Sequence, residues 1–488
     1  MDAAHHLLEP VDHVKPFWRL VEAFRADGRP EPALLDSVDG DPRFGSFSYL
    51  GVGETGTFEA HRRQDGLADV AICAGSGTRF LPGVDPFAAL RAWRRATAAP
   101  AGTLQAARFP FVHGIIGWFG YEAGHCLESF PDTGRDDLGL PDLRFVRHEA
   151  LLVRDHGTGR TWLSAVGRGP DGDAARRDAD RIADAVRDRL ASWGPLALPR
   201  CRPHARLAPS HDGREDYMAR VAAIQRDIRD GRVFECCLTR RFELELRADP
   251  WRLYGKLRSI NNPSFGAWLT RGDIAVLCAS PERFLSLDRD RRLETRPIKG
   301  TRPCSPEPYE DTAMHDELAA SPKDRAENLM IVDLARSDLG RVCETGSIEV
   351  PELMAVECCG WVWQMVSTVR GRLREGLDAI DAVRACFPGG SMTGAPKIEA
   401  MKMIDELEPW SRGVYAGSLG WLDDAGAMDL NIVIRTLVAG GGRAVCGVGG
   451  AVTADSDPAG EWQETLDKAA ALAHAVAEAN RPDVAAPR

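Results

Sequence analysis

The amino-acid sequence predicts an α+β fold, in which strands and helices follow one another without a regular strand-helix repeat. Two observations lead to this prediction. Segments typical of strands dominate residues 33–170, and helix-like and strand-like segments are mixed after residue 214 without strict βαβ alternation. The chain has 488 residues, of which 44% are hydrophobic and 27% charged, so a large buried core is feasible.

The first half is predicted to be rich in strands. Apolar, β-branched and aromatic runs predict strands at residues 34–37, 47–51 and 113–121. A charged amphipathic helix is predicted at residues 171–193. Prolines and weak periodicity from residue 194 onward are typical of a surface connection. We therefore expect an N-terminal region at residues 1–195 and a linker at residues 196–213.

The second half, residues 214–480, is predicted to be a region of mixed helices and strands. It contains a helix at 216–230, one strand at 428–438 and a helix at 461–480. The tail at 481–488 is rich in Ala and Pro and is expected to be frayed.

Composition argues against several classes of function. The net charge of -11 and the pI near 5.6 give no basic surface for nucleic acid or an anionic membrane. No apolar run approaches the roughly 20 residues that span a bilayer, and residues 1–16 lack a signal-peptide core. Twelve cysteines without a C-x-x-C pair match neither a disulfide framework nor a zinc site. We expect a cytoplasmic protein with reduced cysteines.

A predicted hairpin brings a carboxyl and an amine together. Its strands, at 284–288 and 292–296, are joined by a turn at 288–291, so their outer ends lie side by side. One end carries Glu282 in SPERF and the other Lys299 in RPIKGT. Such a pair can supply an acid or base and a nucleophile. The plainer interpretation is a surface ion pair that contributes under about 1 kcal/mol.

Two predicted helices carry carboxylates at a spacing of three residues. Glu327 follows Asp324, and Glu464 follows Glu461, so each pair shares a helix face. If both helices face one cavity, the carboxylates suit Mg²⁺, which prefers oxygen ligands and keeps waters that a substrate carboxylate can replace. Solvated helix faces are the more common alternative.

Glycine-rich segments and a buried arginine are further candidates. FPGGSMTGAPK at 387–397 predicts a turn that enters a helix started by Pro396, with N–H groups available to an anion but without the ending of a nucleotide loop. Arg435 shares one face of the predicted strand with Asp429 and Asn431, and pairs with an internal acid or a substrate carboxylate. GVGG at 447–450 would let backbone approach a ligand, although turn formation explains glycines equally well.

In this order, these motifs resemble the chorismate-binding enzymes, a family that includes anthranilate, aminodeoxychorismate, isochorismate and salicylate synthases. The resemblance is dense from residue 214 to residue 477. Before that, LLDS at 34–37 and GSFSYLG at 45–51 resemble a segment that can line a tryptophan pocket in the aminating branches. The resemblance implies two packed antiparallel sheets surrounded by helices, chorismate as substrate and Mg²⁺ as cofactor.

The resemblance also implies roles for individual residues. Lys299 matches the aminodeoxychorismate synthase branch, in which the lysine attacks C2 of chorismate while the C4 hydroxyl leaves, and anthranilate synthases usually have Ala there. Such a nucleophile needs a lowered pKa. Glu282 matches the general acid or base. Isochorismate-forming relatives carry a water-activating Lys in place of Glu235, so this Glu argues against their reaction. The positions that match metal ligands are Glu327, Glu464 and Glu461, and those that match substrate-binding groups are Gly394, Tyr415, Arg435, Gly449, Gly450 and Glu235.

The sequence also departs from the family. Trp363 and Gln364 stand where one or two His are usual. No G-x-C-x-G glutaminase motif is present, so ammonia is expected from a separate glutamine amidotransferase or from solution. The resemblance implies an aminodeoxychorismate synthase component I, a transferase on the route to p-aminobenzoate and folate. An anthranilate synthase component I and a catalytically silent chorismate-binding subunit are the alternatives.

Overall fold

A computed structural model describes most of the chain. The described residues are 3–13, 15–25, 32–38, 45–75, 77–100, 102, 104, 109–193, 213–359 and 362–481. The predicted linker, apart from Gly213, and the predicted tail, apart from Arg481, lie outside them.

The strands of the first half include two long ones that organise the molecule. In chain order the strands are β1 (Ala3–Val11), β2 (Ala33–Asp36), β3 (Phe47–Arg62), β4 (Ala68–Ala74), β5 (Gly77–Val84), β6 (Gly114–Phe119), β7 (Leu143–Asp155) and β8 (Arg160–Gly169).

The second half contributes the remaining strands of the described residues. These are β9 (Glu235–Glu245), β10 (Phe265–Arg271), β11 (Ile274–Ser280), β12 (Arg283–Leu287), β13 (Arg292–Arg296), β14 (Ile298–Pro303), β15 (Glu349–Cys359), β16 (Val362–Arg372), β17 (Gly394–Ala395), β18 (Ser418–Asp423), β19 (Met428–Ile432), β20 (Thr436–Gly440) and β21 (Arg443–Val452).

The α-helices lie between these strands along the chain, except α10, which follows β21. They are α1 (Val21–Phe24), α2 (Pro86–Thr97), α3 (Gly172–Ser192), α4 (Arg214–Arg229), α5 (Pro250–Asn261), α6 (Pro308–Ala320), α7 (Pro322–Gly340), α8 (Ala379–Cys386), α9 (Lys397–Leu407) and α10 (Pro458–Asn480). Within the part of the chain that the structure describes, none of them is both long and apolar enough to cross a bilayer.

The long strands β3 and β7 take part in two antiparallel sheets. Where residues 47–52 of β3 pair with residues 150–155 of β7, the two strands belong to the first sheet. Its strand order is β1-β8-β7-β3-β2-β10-β11-β20-β21-β9-β17. Where residues 56–60 of β3 pair with residues 143–147 of β7, they belong to the second sheet. Its strand order is β5-β4-β3-β7-β6-β18-β19-β12-β13-β16, and β14 and β15 also pair with β16. A register shift between Glu54 and Gly56 separates the two segments of β3, as a β-bulge does.

The two sheets pack face to face with helices outside. One buried cluster joins Ala267 of β10 and Val276 of β11, in the first sheet, to Ile116 of β6 and Leu419 of β18, in the second. A second cluster packs the outer side of the first sheet against α3, α5 and α10. A third packs the second sheet against α2, α8 and α9. Burial of these apolar faces, at about 25 cal/mol per Å², stabilises the four layers.

Most predicted elements are confirmed, and one is wrong. The helices at 171–193, 216–230 and 461–480 correspond to α3, α4 and α10, and the predicted hairpin is β12 and β13. The predicted strand at 428–438 is instead two strands, β19 and β20. Arg435 lies between them with a left-handed φ of 50°, so the strict alternation of side chains that we assumed up to Arg435 does not hold.

Candidate active site

Lys299 and Glu235 form a buried ion pair. Lys299 Nζ donates to Glu235 Oε1 over 2.7 Å, and the two residues are 9% and 0% exposed. Lys299 lies on β14 where the pairing with β16 shifts register between Ile298 and Thr301. Gly300 follows with φ of 84°, and a Cβ there would lie 2.8 Å from a side-chain carbon of Leu318. This irregular backbone places the lysine inside the protein.

Short pairing between β9 and β17 holds Glu235. Glu235 lies opposite Ala395, and the N–H of Phe234 donates to the carbonyl of Ala395 over 2.7 Å. Gly394 has φ of 138°, and a Cβ there would lie 2.2 Å from the carbonyl oxygen of Glu235. The predicted substrate-binding Gly394 is therefore a position that the backbone restricts to glycine.

Glu282 is a buried carboxyl with a strongly perturbed acidity. Burial raises its pKa to about 7, although a hydrogen bond with Ser391 and the charges of Lys299 and Arg435 act in the opposite direction. The backbone carbonyl of Glu282 accepts from the N–H of Ile432 over 3.0 Å, which fixes the residue at the end of β19. A carboxyl with a pKa near 7 can donate a proton at neutral pH.

The expected contact across the hairpin is only partly found. The charge of Lys299 acts on Glu282, but the amine donates its hydrogen bond to Glu235, which is 64 residues distant in sequence. The expected lowering of the lysine pKa is wrong for this arrangement. Burial lowers it, but the negative charges of Glu235 and Glu327 outweigh that effect and leave the pKa of Lys299 raised. The resting amine is therefore an ammonium ion.

The predicted metal ligands lie on the first two turns of two capped helices. Ser321 caps α7 by accepting from the N–H of Asp324, and Asp457 caps α10 by accepting from that of Gly460. Lys323 Nζ lies 3.7 Å from Glu327 Oε1 and 4.0 Å from Glu461 Oε1, so the two helices face the same space.

Two buried carboxylate oxygens at this place fit a cation. Glu327 Oε1 and Glu461 Oε2 have no hydrogen-bond partner among the described residues. Burial raises the pKa of Glu327 to about 7 and also raises that of Glu461. Glu464 is half-exposed and pairs with Lys468 over 2.6 Å. A Cβ on Gly450 would lie 2.8 Å from Glu461 Oε2, so this glycine keeps room beside the acids.

A different set of potential ligands lies elsewhere. Among the described residues, the one group whose ligand atoms all lie within 4.8 Å of one another is His125, Asp132 and Asp405. Both ring nitrogens of His125 contact backbone carbonyls, those of Glu122 and Pro131, and Asp132 pairs with Arg62. These contacts with protein groups account for the close spacing of the three residues without a metal ion. The predicted acids are spaced more widely, which suits Mg²⁺ because it retains waters.

The remaining predicted substrate-binding groups lie in the loops and strands between residues 415 and 449. Tyr415 is buried, and a Cβ on Gly447 would lie 2.2 Å from its ring. Gly449 lies beside β9, where a Cβ would meet the carbonyl of Leu238 at 2.2 Å. Arg435 is close enough to Glu282 for its charge to lower the carboxyl pKa.

The two residues that depart from the family pattern point in different directions. Trp363 Nε1 donates to Asp311 Oδ1 of α6 over 2.9 Å, and its ring packs edge-on against His315. Gln364 is 2% exposed, and its Oε1 has no partner among the described residues. The side chain of Gln364 is therefore a buried polar group, whereas that of Trp363 packs on the neighbouring helix.

Sequence reasoning missed several polar groups that hold the site together. Ser456 Oγ donates to Glu461 Oε1 over 2.7 Å, and Lys468 Nζ donates to the carbonyl of Gly449 over 2.7 Å. Lys323 and Lys468 lie four residues from Glu327 and Glu464, respectively, a spacing that would have revealed both ion pairs. No local pattern points to Ser391 or Ser456.

The chain is similar to known proteins over most of its length. A model described as chorismate binding enzyme matches residues 33–474. Aminodeoxychorismate synthase component 1 of Salmonella typhimurium is 36% identical over 475 residues, which cover 97% of this chain and 96% of that protein. Aminodeoxychorismate synthase of Streptomyces griseus is 45% identical over 372 residues, or 75% of this chain and 50% of that protein, so the match spans half of the longer relative.

A solved structure confirms the expected fold. The crystal structure of anthranilate synthase component I from Streptococcus pneumoniae TIGR4 matches with a TM-score of 0.74 and 29% sequence identity, over 88% of this chain and 92% of that one. The family model covers most of the sequence, and the Salmonella relative aligns over nearly its whole length. The chain belongs to the family of chorismate binding enzymes.

Proposed function

We propose that this chain is an aminodeoxychorismate synthase component I, which converts chorismate and ammonia to 4-amino-4-deoxychorismate. The observation that carries the proposal is the buried Lys299 in an otherwise acidic site, at the position where the aminating branch has lysine. The Salmonella relative of that name, which aligns over nearly the whole of both chains, supports it. The reaction would serve p-aminobenzoate and folate synthesis in the cytoplasm.

Lys299 acts as the nucleophile and Glu282 as the acid. Nζ of Lys299 forms a bond to C2 of chorismate, the two conjugated ring double bonds shift by one position each, and the C4–O bond breaks. Glu282 donates its proton to the departing hydroxyl, which leaves as water. Ammonia then bonds to C4, both double bonds shift back and the C2–Nζ bond breaks. Arg435 and Tyr415 hold the anionic substrate, and Gly394, Gly449 and Gly450 allow close approach.

Glu327, Glu461 and Glu464 would hold Mg²⁺. The oxygens of Glu327 and Glu461 that accept no hydrogen bond from the described residues support this assignment. The ion would supply positive charge to a carboxylate of the substrate. Glu327→Ala should abolish the Mg²⁺-dependent activity while the circular dichroism spectrum stays unchanged, and full turnover in excess chelator would contradict the metal assignment.

Ammonia would come from a separate glutamine amidotransferase subunit. We expect the pure chain to use ammonium salt but not glutamine, and to use glutamine once a glutaminase subunit is added. Robust turnover with glutamine by the chain alone would contradict this part of the proposal.

Anthranilate synthase component I is the second candidate, favoured by the solved structure of that name. The two reactions give different products. The pure chain should be incubated with chorismate, Mg²⁺ and ammonium salt, and the product identified by mass. Release of pyruvate together with anthranilate would replace the proposed function, whereas a product that an added lyase converts to p-aminobenzoate supports it.

A pocket between the two sheets is a candidate site for tryptophan. Its lining includes Ser37, Tyr49, Trp421 and Asp429, and the Oγ of buried Ser37 has no partner among the described residues. The aromatic rings could stack on an indole, and Asp429 could contact an amino group. Calorimetric titration with tryptophan tests this, with Ser37→Ala as the weakened variant. Absence of binding heat at millimolar tryptophan would contradict it.

A further inference from the structure

We propose that Glu235 is the general base that takes the proton from Lys299 and returns it at the end of each turnover. This inference rests on the proposed amination reaction and adds a catalytic role to a residue for which sequence comparison suggested only substrate binding. Two observations carry it. The carboxylate is in direct contact with the nucleophilic atom, and it is completely buried.

The contact between the two groups is short and exclusive among the described residues. Lys299 Nζ donates to Glu235 Oε1 over 2.7 Å, and no other carboxylate of the described chain lies within 4.0 Å of Nζ. The charged or titratable neighbours that face the amine from further away are Glu327 on α7 and Cys237 on β9, and Glu282 faces it from the start of β12. Only Glu235 can therefore accept the proton directly.

An ammonium ion has no lone pair and cannot attack carbon, so the resting ion pair is unreactive. The surrounding carboxylates keep the pKa of Lys299 raised despite burial, which makes loss of the proton to bulk solvent unfavourable. Transfer along the existing hydrogen bond converts two buried charges into two neutral groups. A low dielectric environment favours that neutral pair, and both residues are buried.

The second oxygen of Glu235 leaves a lone pair available inside the protein. Oε2 is buried and accepts no hydrogen bond from the described residues. Pairing of β9 with β17 fixes the carboxyl beside the amine, so the transfer needs no movement of the backbone.

The protons balance over a complete turnover. Glu235 first removes one proton from the ammonium group, and neutral Nζ then bonds to C2 while Glu282 protonates the departing hydroxyl. Lys299 is now a charged secondary amine with two N–H bonds. When ammonia bonds to C4, the C2–Nζ bond breaks and its electron pair returns to Nζ. Protonated Glu235 gives its proton back, which restores the ion pair, and Glu282 is reprotonated from solvent.

The test compares Glu235→Gln, Glu235→Asp and wild type by their pH profiles. Gln keeps the shape and one hydrogen-bond acceptor but cannot take a proton, whereas Asp retains a base. Glu243→Gln, on the same strand, is the matched control. In a rapid-quench experiment with chorismate and no ammonia, peptide mass spectrometry follows the adduct on Lys299. We expect Glu235→Gln to form it about 100-fold more slowly at pH 7.5, with chorismate KM changed less than about threefold.

The pH dependence separates the role of base from other roles. The rate of Glu235→Gln should rise about tenfold per pH unit, since only the neutral amine fraction reacts, and Glu235→Asp should recover part of the loss at pH 7.5. An equal or faster rate for Glu235→Gln at pH 7.5 would overturn the proposal, because it would mean that Glu235 only holds the lysine charged. If the wild type forms anthranilate or no adduct, the proposed function itself fails.

Discussion

At the scale of single residues, substitutions of Lys299 distinguish a nucleophilic role from an electrostatic contact with the substrate. Lys299→Ala should lower kcat by orders of magnitude with little change in chorismate affinity, because the proposed bond to C2 is absent from the bound ground state and forms only during the reaction. Lys299→Arg keeps a positive charge beside Glu235 but supplies no comparable nucleophile. Stopped-flow turnover and calorimetric binding measure the two effects. Substantial turnover of Lys299→Arg would contradict the covalent route.

Glu282 should set the alkaline limb of the pH profile. Its pKa is raised to about 7, so the acid form that we propose as proton donor to the leaving hydroxyl dominates below that pH and falls about tenfold per unit above it. The hydrogen bond from Ser391 lowers this pKa, so Ser391→Ala should move the limb to higher pH. Rates of water loss measured from pH 5 to 9 test both expectations. If the alkaline limb of Ser391→Ala falls at the same pH as in wild type, Glu282 is not the group that sets it.

At the scale of elements, the two-residue strand β17 depends on Gly394. Gly394→Ala places a Cβ 2.2 Å from the carbonyl of Glu235 at a φ of 138°, so the free energy of unfolding should fall by about 2 kcal/mol or more. Gly426 also has a positive φ, of 107°, but has open space around it. Gly426→Ala should therefore lose only about 1 kcal/mol. Denaturant titrations compare the two, and equal losses would mean that backbone strain, not the contact, dominates.

The sequence predicts elements better than it predicts contacts between them. The β12–β13 hairpin and helices α3, α4 and α10 follow from local patterns of apolar, turn and capping residues. The break at Arg435 could not be foreseen, because nothing in the local pattern marks a left-handed arginine. The partner of Lys299 was also missed. The pairing of β9 with β17 places Glu235 beside Lys299, and pairing between strands so far apart in the chain cannot be predicted from a short stretch of sequence.

At the scale of the whole molecule, the two halves share both sheets. β2 lies between β3 and β10, and β6 lies between β7 and β18. Residues 1–193 expressed alone should therefore aggregate, because β2 and β6 would expose unpaired edges and an apolar face. Coexpression with residues 213–488 should recover a folded complex. Size-exclusion chromatography and thermal melting measure the outcome, and a cooperative melt of residues 1–193 alone would contradict it.

The position of β6 also sets a delay during synthesis on the ribosome. Ile115 pairs with Leu422, which is translated about 300 residues later. At about 5–20 residues per second, the early strand waits roughly 15–60 s for its neighbour. Throughout that interval a nascent chain carries an open hydrogen-bonding edge, so the cell must shield it by chaperones or finish translation quickly. Codon changes that slow the ribosome between these positions would lower the yield of native protein without altering a single amino acid.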